Sequence, residues 1–305
     1  MHIRKVIFLL VILTGFVIGF LCTPDKSSKQ LDTNQEITNF ENGLKSPESI
    51  PKIAAGDNFQ IIEDVFSEKL NEYSANGEFN QIYEPSLQAT YYALYILNAI
   101  DKLDDINKSA VGDYIMSHYD PVTHSFMDRY TLRYLDTNVT FYPLTTLLET
   151  SCYAILSLSL LDQLTRIDSP DAITFILSCS DPTTKAFIGQ PYATCPSGIL
   201  KVPTMDNTYY AVLTLETLGV DLGAIKYDIT DFIGTLHYMD GGFLNDDDSF
   251  FSLGFPLITP NIFSSYYCIK TLEMFGLETS IDTEDFHLYM DHLLIGRCQY
   301  HLFLY

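Results

Sequence analysis

Tyr209-Tyr210-Ala211-Val212, followed by Leu215, is one of four segments built to a single pattern. The others are Tyr91-Tyr92-Ala93-Leu94 with Leu97, Cys152-Tyr153-Ala154-Ile155 with Leu158, and Tyr266-Tyr267-Cys268-Ile269 with Leu272. The small-residue column falls at 93, 154, 211 and 268, a step of roughly 57–61 residues, and self-similarity at such a step marks a repeat architecture. Three residues beyond each Leu stands another apolar residue (Ile100, Leu161, Leu218, Phe275), and the next column reads Asp101, Asp162, Gly219, Gly276. Glycine there suits the left-handed end of a helix. The spacing therefore predicts four helices of about three turns, each with a wide apolar face and each ending in a turn.

A second helix follows in each unit. Between the first two units the match runs without a gap: Leu103 with Leu164, Ile106 with Ile167, Tyr114 with Phe175, Ile115 with Ile176, Asp120-Pro121 with Asp181-Pro182, and Phe126 with Phe187. Asp171, Asp228 and Asp285 share a column near the start of this helix, where acids complement the macrodipole. Asp240-Gly241-Gly242-Phe243 is the fullest form of the turn that comes next, and Asn76-Gly77-Glu78-Phe79 is its remnant in a partial leading unit. The fold class is all-α: about four helical hairpins plus a partial one, over residues 56–305.

Outside the array the chain reads differently. Arg4 and Lys5 precede an uncharged apolar run, Val6–Leu21, closed by Thr23-Pro24. As a helix the run spans about 24 Å against a ~30 Å bilayer core, the size of a signal peptide or signal anchor. Residues 1–22 are expected to direct the body out of the cytoplasm, tethered to the membrane or secreted, with the positive flank inside. Residues 23–55 form a polar linker with Pro24, Pro47 and Pro51 and no apolar periodicity.

The chain is 47% hydrophobic, with 21 Tyr, 20 Phe and no Trp, and its formal net charge is −22. Such a surface repels phosphate backbones, so nucleic acid is excluded as a partner class. Cys179 and Cys195 flank a loop and are candidates for a disulfide in an oxidising compartment, while Cys152 and Cys268 read as small core residues.

The set Tyr-x-Ala-Leu-x-x-Leu, second helix, Asp-Pro and Gly-Gly-Phe resembles the repeat of protein prenyltransferases and squalene (terpenoid) cyclases. That resemblance covers about residues 60–295 and implies an α/α-toroid, in which inner helices line a central cavity. Family members close a ring from about six hairpins. Here the chain ends within its fourth unit, which implies an open arc, a truncated ring or half of an assembly. The apolar Leu293-Leu294-Ile295 and Leu302-Phe303-Leu304 then make the C-terminal repeat a candidate for self-association.

The family's zinc ligands are an Asp, a Cys and a His ahead of the repeat helices. Laid on this chain, the Cys column holds Gln88, Glu149, Asp206 and Phe263. The Asp column holds Ser86, Leu147, Thr204 and Asn261, and the His column Ala89, Thr150, Asn207 and Ser264. Lacking thiolate and imidazole, these columns are not expected to hold zinc. The cyclases' Asp-x-Asp-Asp acid has its nearest counterpart in Asn245-Asp246-Asp247-Asp248, with Asn in the first place.

Three groups of residues remain as candidates. Glu149 and Asp206 occupy equivalent positions, so the repeat sets both carboxyls at one mouth of a ring, where paired acids serve proton transfer or sugar binding; helix capping accounts for them equally. Asp240, Asn245, Asp246 and Asp248 offer the oxygen ligands of a Ca²⁺ loop, or form a solvated turn. Tyr92, Tyr153, Tyr210 and Tyr267 recur at one level; they either pack a core or line a cavity for an apolar or carbohydrate ligand. The primary expectation is a membrane-tethered binding or scaffold toroid. The alternative is a toroid enzyme, either a terpenoid-cyclase-like isomerase or an acid-based carbohydrate enzyme using Glu149 and Asp206.

Overall fold

A computed structural model describes residues 77, 79–81, 84–135, 145–196, 201–246, 260–277 and 283–294. Four first helices carry the repeated pattern: α1 (Leu87–Ala99), α4 (Leu147–Leu160), α6 (Met205–Thr217) and α8 (Ile262–Phe275). Each is followed by a second helix: α2 (Lys108–Met116), α5 (Ser169–Ser178), α7 (Lys226–Leu236) and α9 (Thr283–Leu294). The first helices pack in sequence, α1 on α4, α4 on α6 and α6 on α8. Among the described residues strands are confined to two-residue pairs: β1 (Asn80–Gln81) with β2 (Glu84–Pro85), and β3 (Tyr119–Asp120) with β4 (Ser125–Phe126), both antiparallel.

The helix ends follow the columns. Asp101, Asp162, Gly219 and Gly276 all have positive φ, at 57°, 60°, 79° and 66°. The left-handed turn is thus built four times, twice by aspartate, whose short polar side chain tolerates it. Asp171, Asp228 and Asp285 lie in the first turns of α5, α7 and α9, where they face the positive end of the dipole.

The turn that leads into each first helix is equally regular. Phe79, Phe126, Phe187 and Phe243 are all buried, and the residue two before each (Gly77, His124, Lys185, Gly241) has positive φ. Asp120, Asp181 and Asp240 fold this turn by accepting from the N–H two residues on: Val122 at 2.9 Å, Thr183 at 2.9 Å and Gly242 at 3.0 Å. A hydroxyl on the next first helix then holds the phenylalanine N–H, with Ser151 Oγ, Thr208 Oγ1 and Ser265 Oγ each at 3.0 Å from Phe126, Phe187 and Phe243. Consecutive hairpins are thereby stitched by a buried bond as well as by apolar contact.

One element has no counterpart in the other units among the described residues. Helix α3 (Arg129–Leu135) lies between the first two units. Its buried leading residue Asp128 accepts from Tyr130 N and Thr131 N at 2.9 and 3.0 Å, and its other oxygen accepts from Leu87 N at 3.0 Å. Asp128 thus caps α3 and the start of α1 together.

The Cys179–Cys195 bridge is not formed; both residues are buried thiols. The Cys179 thiol turns back to the Phe175 carbonyl of its own helix at 3.5 Å, while Cys195 Sγ accepts from Gln190 Nε2 at 3.1 Å. The apolar run Val6–Leu21, the linker 23–55, residues 295–305 and the side chains of Leu293 and Leu294 lie outside the described residues. Among the described residues no helix is long and apolar enough to cross a membrane.

Candidate functional site

The N-termini of α1, α4, α6 and α8 open on one cavity of about 250 Å³. Gln88, Glu149, Asp206 and Phe263, a single column of the repeat, all line it. Tyr153 and Tyr267 lie one helical turn further in, and Asn245, Asn261 and Ser264 complete the wall. The expected placement of Glu149 and Asp206 at one mouth is what the helix starts produce. A larger hollow of about 430 Å³ lies at the other end of α1 and α4, lined by Asp101, Asp104, Lys108 and Asp162 among others; it holds none of the sequence candidates.

Helix α4 begins one residue earlier in the column than its relatives, which sets Glu149 at its third position. From there Glu149 closes a capping box. Its Oε2 accepts from Thr146 N at 3.0 Å, while its own N–H donates to Thr146 Oγ1 at 3.1 Å. Its Oε1 accepts from the Tyr153 hydroxyl at 3.5 Å. Burial, and then repulsion from Asp206, push the Glu149 carboxyl up to about 8, so it keeps its proton at neutral pH.

Asp206 is held by donors on three sides. Asn207 N donates to its Oδ1 at 2.7 Å, Thr204 Oγ1 donates to the same oxygen, and Asn245 Nδ2 donates to Oδ2 at 3.3 Å. Asn245 Oδ1 in turn accepts from Asp206 N at 3.2 Å. Capping and mouth-lining therefore coexist in both acids.

Asn245 is thus committed to Asp206, Asp246 pairs through its backbone with Thr204, and Asp240 folds its own turn as Asp120 and Asp181 do. A Ca²⁺ loop needs these oxygens to converge, and those of Asp240 and Asn245 are directed to different partners. Asp248 lies outside the described residues.

The tyrosines do not line an open channel; they fill the middle. Tyr153 stacks on Tyr91 with centroids 5.5 Å apart and meets Tyr92 at 5.8 Å and Tyr210 edge-on at 4.6 Å. Tyr209 stacks on Tyr267 at 4.8 Å. The hydroxyls of Tyr92 and Tyr210 are 2.8 Å apart, and those of Tyr210 and Tyr267 3.4 Å. Tyr92 and Tyr210 thereby join the first unit directly to the third. Of the four expected lining tyrosines, Tyr153 and Tyr267 reach the cavity, and Tyr92 and Tyr210 form the packing beneath it.

The donor set can be compared with zinc chemistry directly. The lining offers two carboxyls, three amides, hydroxyls and a phenyl ring, with no thiol or imidazole among the described residues. Cys152, one turn beyond the Cys column, is fully buried, and burial raises its thiol to about 12. Zinc takes thiolate, imidazole or ionised carboxylate, and of these the described lining offers only carboxyls, those of Glu149 and Asp206.

Glu149 makes a testable statement about stability. Its folded pKa stands above the ordinary value of 4.5, so between about 4.5 and 8 the native state binds more protons than the unfolded chain. Stability must then fall as pH rises through that window. Glu149→Gln keeps the capping box and removes the titration. Urea unfolding at pH 6 and pH 9 is expected to show a loss for the wild type that the variant lacks.

The sequence matches the family profile of the prenyltransferase alpha-alpha toroid domain over residues 44–147 and 123–252, together more than half of the chain. Among solved structures, Candida albicans protein geranylgeranyltransferase-I, in a complex with GGPP, is similar in fold. The TM-score is 0.51 at 16% identity, covering 76% of this chain and 70% of that one. No curated protein matches the sequence. With its repeat columns, helix order and mouth at the first-helix N-termini in place, this chain belongs to the prenyltransferase alpha-alpha toroid family.

Proposed function

We propose that this toroid is a binding or scaffold protein outside the cytoplasm, tethered to the membrane by residues 1–22, and that it does not carry out zinc-dependent prenyl transfer. The observation behind this reading is the filled centre. Tyr91, Tyr92, Tyr153, Tyr210 and Tyr267 pack against one another between the first helices, where the toroid resemblance implied a central cavity. The cavity left at the mouth, about 250 Å³, falls below the ~300–1,000 Å³ of sites that enclose larger ligands. The Arg4-Lys5 flank and the Val6–Leu21 run support the location. Self-association through the C-terminal repeat belongs to the same reading.

Elemental analysis tests it. Full-length protein is expected to carry well under one zinc per chain after mild chelation, with its fold unaffected. A stoichiometric zinc whose removal unfolds the protein would overturn the reading. The alternative, acid catalysis by Glu149 with Asp206, draws on the two carboxyls lining one cavity and on the burial that raises Glu149.

A further inference from the structure

We infer that the mouth binds one unit of a neutral polyhydroxylated ligand, a sugar ring, seated between Asp206 and the ring of Phe263. This names the ligand class of the binding reading above and rests on it.

Charge narrows the class first. Among the described residues no Lys or Arg lines the cavity, so a phosphate or diphosphate meets no side-chain cation there and faces the Asp206 carboxyl instead. A cationic amine is no better served. The Asp206 carboxylate already takes hydrogen bonds from Asn207 N, Thr204 Oγ1 and Asn245 Nδ2. The partial positive charge of the helix N-termini around it already offsets that carboxylate, so neither a further cation nor an anion is favoured. A neutral ligand meets neither penalty.

Hydrogen-bonding capacity narrows it further. Gln88 gives one amide N–H to the Tyr153 hydroxyl at 3.3 Å, leaving its second N–H and its carbonyl oxygen. Ser264 Oγ accepts from Asn261 Nδ2 at 2.8 Å, leaving its O–H. Asp206 Oδ2 has a lone pair beyond the one that Asn245 uses. Acceptors and donors thus alternate around one small space, and hydroxyl groups, which both donate and accept, match such a wall.

Shape completes the assignment. A cavity of about 250 Å³ has room for about eight waters at ~30 Å³ each, close to one sugar ring and too little for a lipid chain. Phe263 lines the cavity while 56% of its surface stays exposed. A large ring left in water at a polar mouth offers a flat apolar face to the C–H face of a sugar.

Saturation-transfer NMR on the full-length protein tests this with glucose, galactose, mannose and N-acetylglucosamine, each at about 10 mM, above a millimolar Kd. Spermidine and geranylgeranyl diphosphate are run alongside. Transfer to at least one sugar is expected, reduced at least fivefold in both Phe263→Ser and Asp206→Asn, while the melting temperature of Phe263→Ser, an exposed site, stays at the wild-type value. No transfer to any sugar, or transfer that Phe263→Ser leaves unchanged, overturns the inference. Binding of spermidine alone overturns the sugar assignment and leaves the binding role standing. Saturable binding of geranylgeranyl diphosphate overturns both.

Discussion

Replacing Tyr153 with alanine is expected to destabilise the protein by about 3–5 kcal/mol, the range for removing a large buried aromatic from a core. Tyr153 is only 1% exposed, and its ring touches those of Tyr91, Tyr92 and Tyr210. Deleting it leaves a void where α1, α4 and α6 meet, and their remaining rings cannot close it without leaving their own contacts. Tyr153→Phe separates packing from hydrogen bonding. It keeps the ring and loses only the bonds to Gln88 and Glu149, which should cost about 1 kcal/mol. Urea midpoints of the two variants measure the difference. Equal losses would mean that the hydroxyl, not the ring, holds the centre together.

The second large effect is at Gly241. A Cβ built there lies 2.1 Å from the Asp285 carbonyl oxygen and 2.5 Å from its carbon, at φ +86°. Those atoms are backbone in the first turn of α9 and cannot rotate aside, so the turn and the helix must separate. Gly219 supplies the control, with φ +79° and nothing within 4 Å of its Cβ position. Gly219→Ala should therefore incur only the left-handed penalty, about 1 kcal/mol. Gly241→Ala adds overpacking, for a total of about 3 kcal/mol or more. At roughly 2–4 °C per kcal/mol for a domain of this size, melting temperatures should fall by about 3 °C and about 10 °C respectively. Equal shifts would show that the turn does not seat on α9 as described.

Much of this architecture was legible because the same packing problem is solved four times. The Asp101, Asp162, Gly219, Gly276 column announced a left-handed helix end even where no glycine stands, since a backbone demand repeated at a fixed step shows through a change of residue. The equivalence of Glu149 and Asp206 was legible for the same reason: position in the repeat fixes which end of the array a side chain occupies. Helix α3 was not, because its seven residues have no relative to align with among the described residues of the other units. Its anchor, Asp128 reaching Leu87 N, is a contact between segments far apart in the chain. The stitching hydroxyls Ser151, Thr208 and Ser265 were missed because Ser and Thr are common on helices and only the facing N–H gives them meaning. Asp240 looked like a cation ligand beside Asn245 and Asp246. Its likeness to Asp120 and Asp181 was the better guide, and there it folds a turn.

Whether the tyrosines line a cavity or fill one depends on how closely the first helices approach, a distance that no local pattern encodes. Alkaline spectrophotometric titration measures it most directly. Burial raises Tyr91, Tyr153, Tyr209, Tyr210 and Tyr267 well above the ordinary phenol value of 10. For these groups stability is fully present below pH 10 and is lost as pH rises beyond it. Of the 21 tyrosines, the filled centre requires these five to stay protonated until the fold is lost, ionising together in one cooperative step. Reversible ionisation of all 21 near pH 10 with the helical signal intact would mean that water reaches the middle of the ring, and would contradict the account.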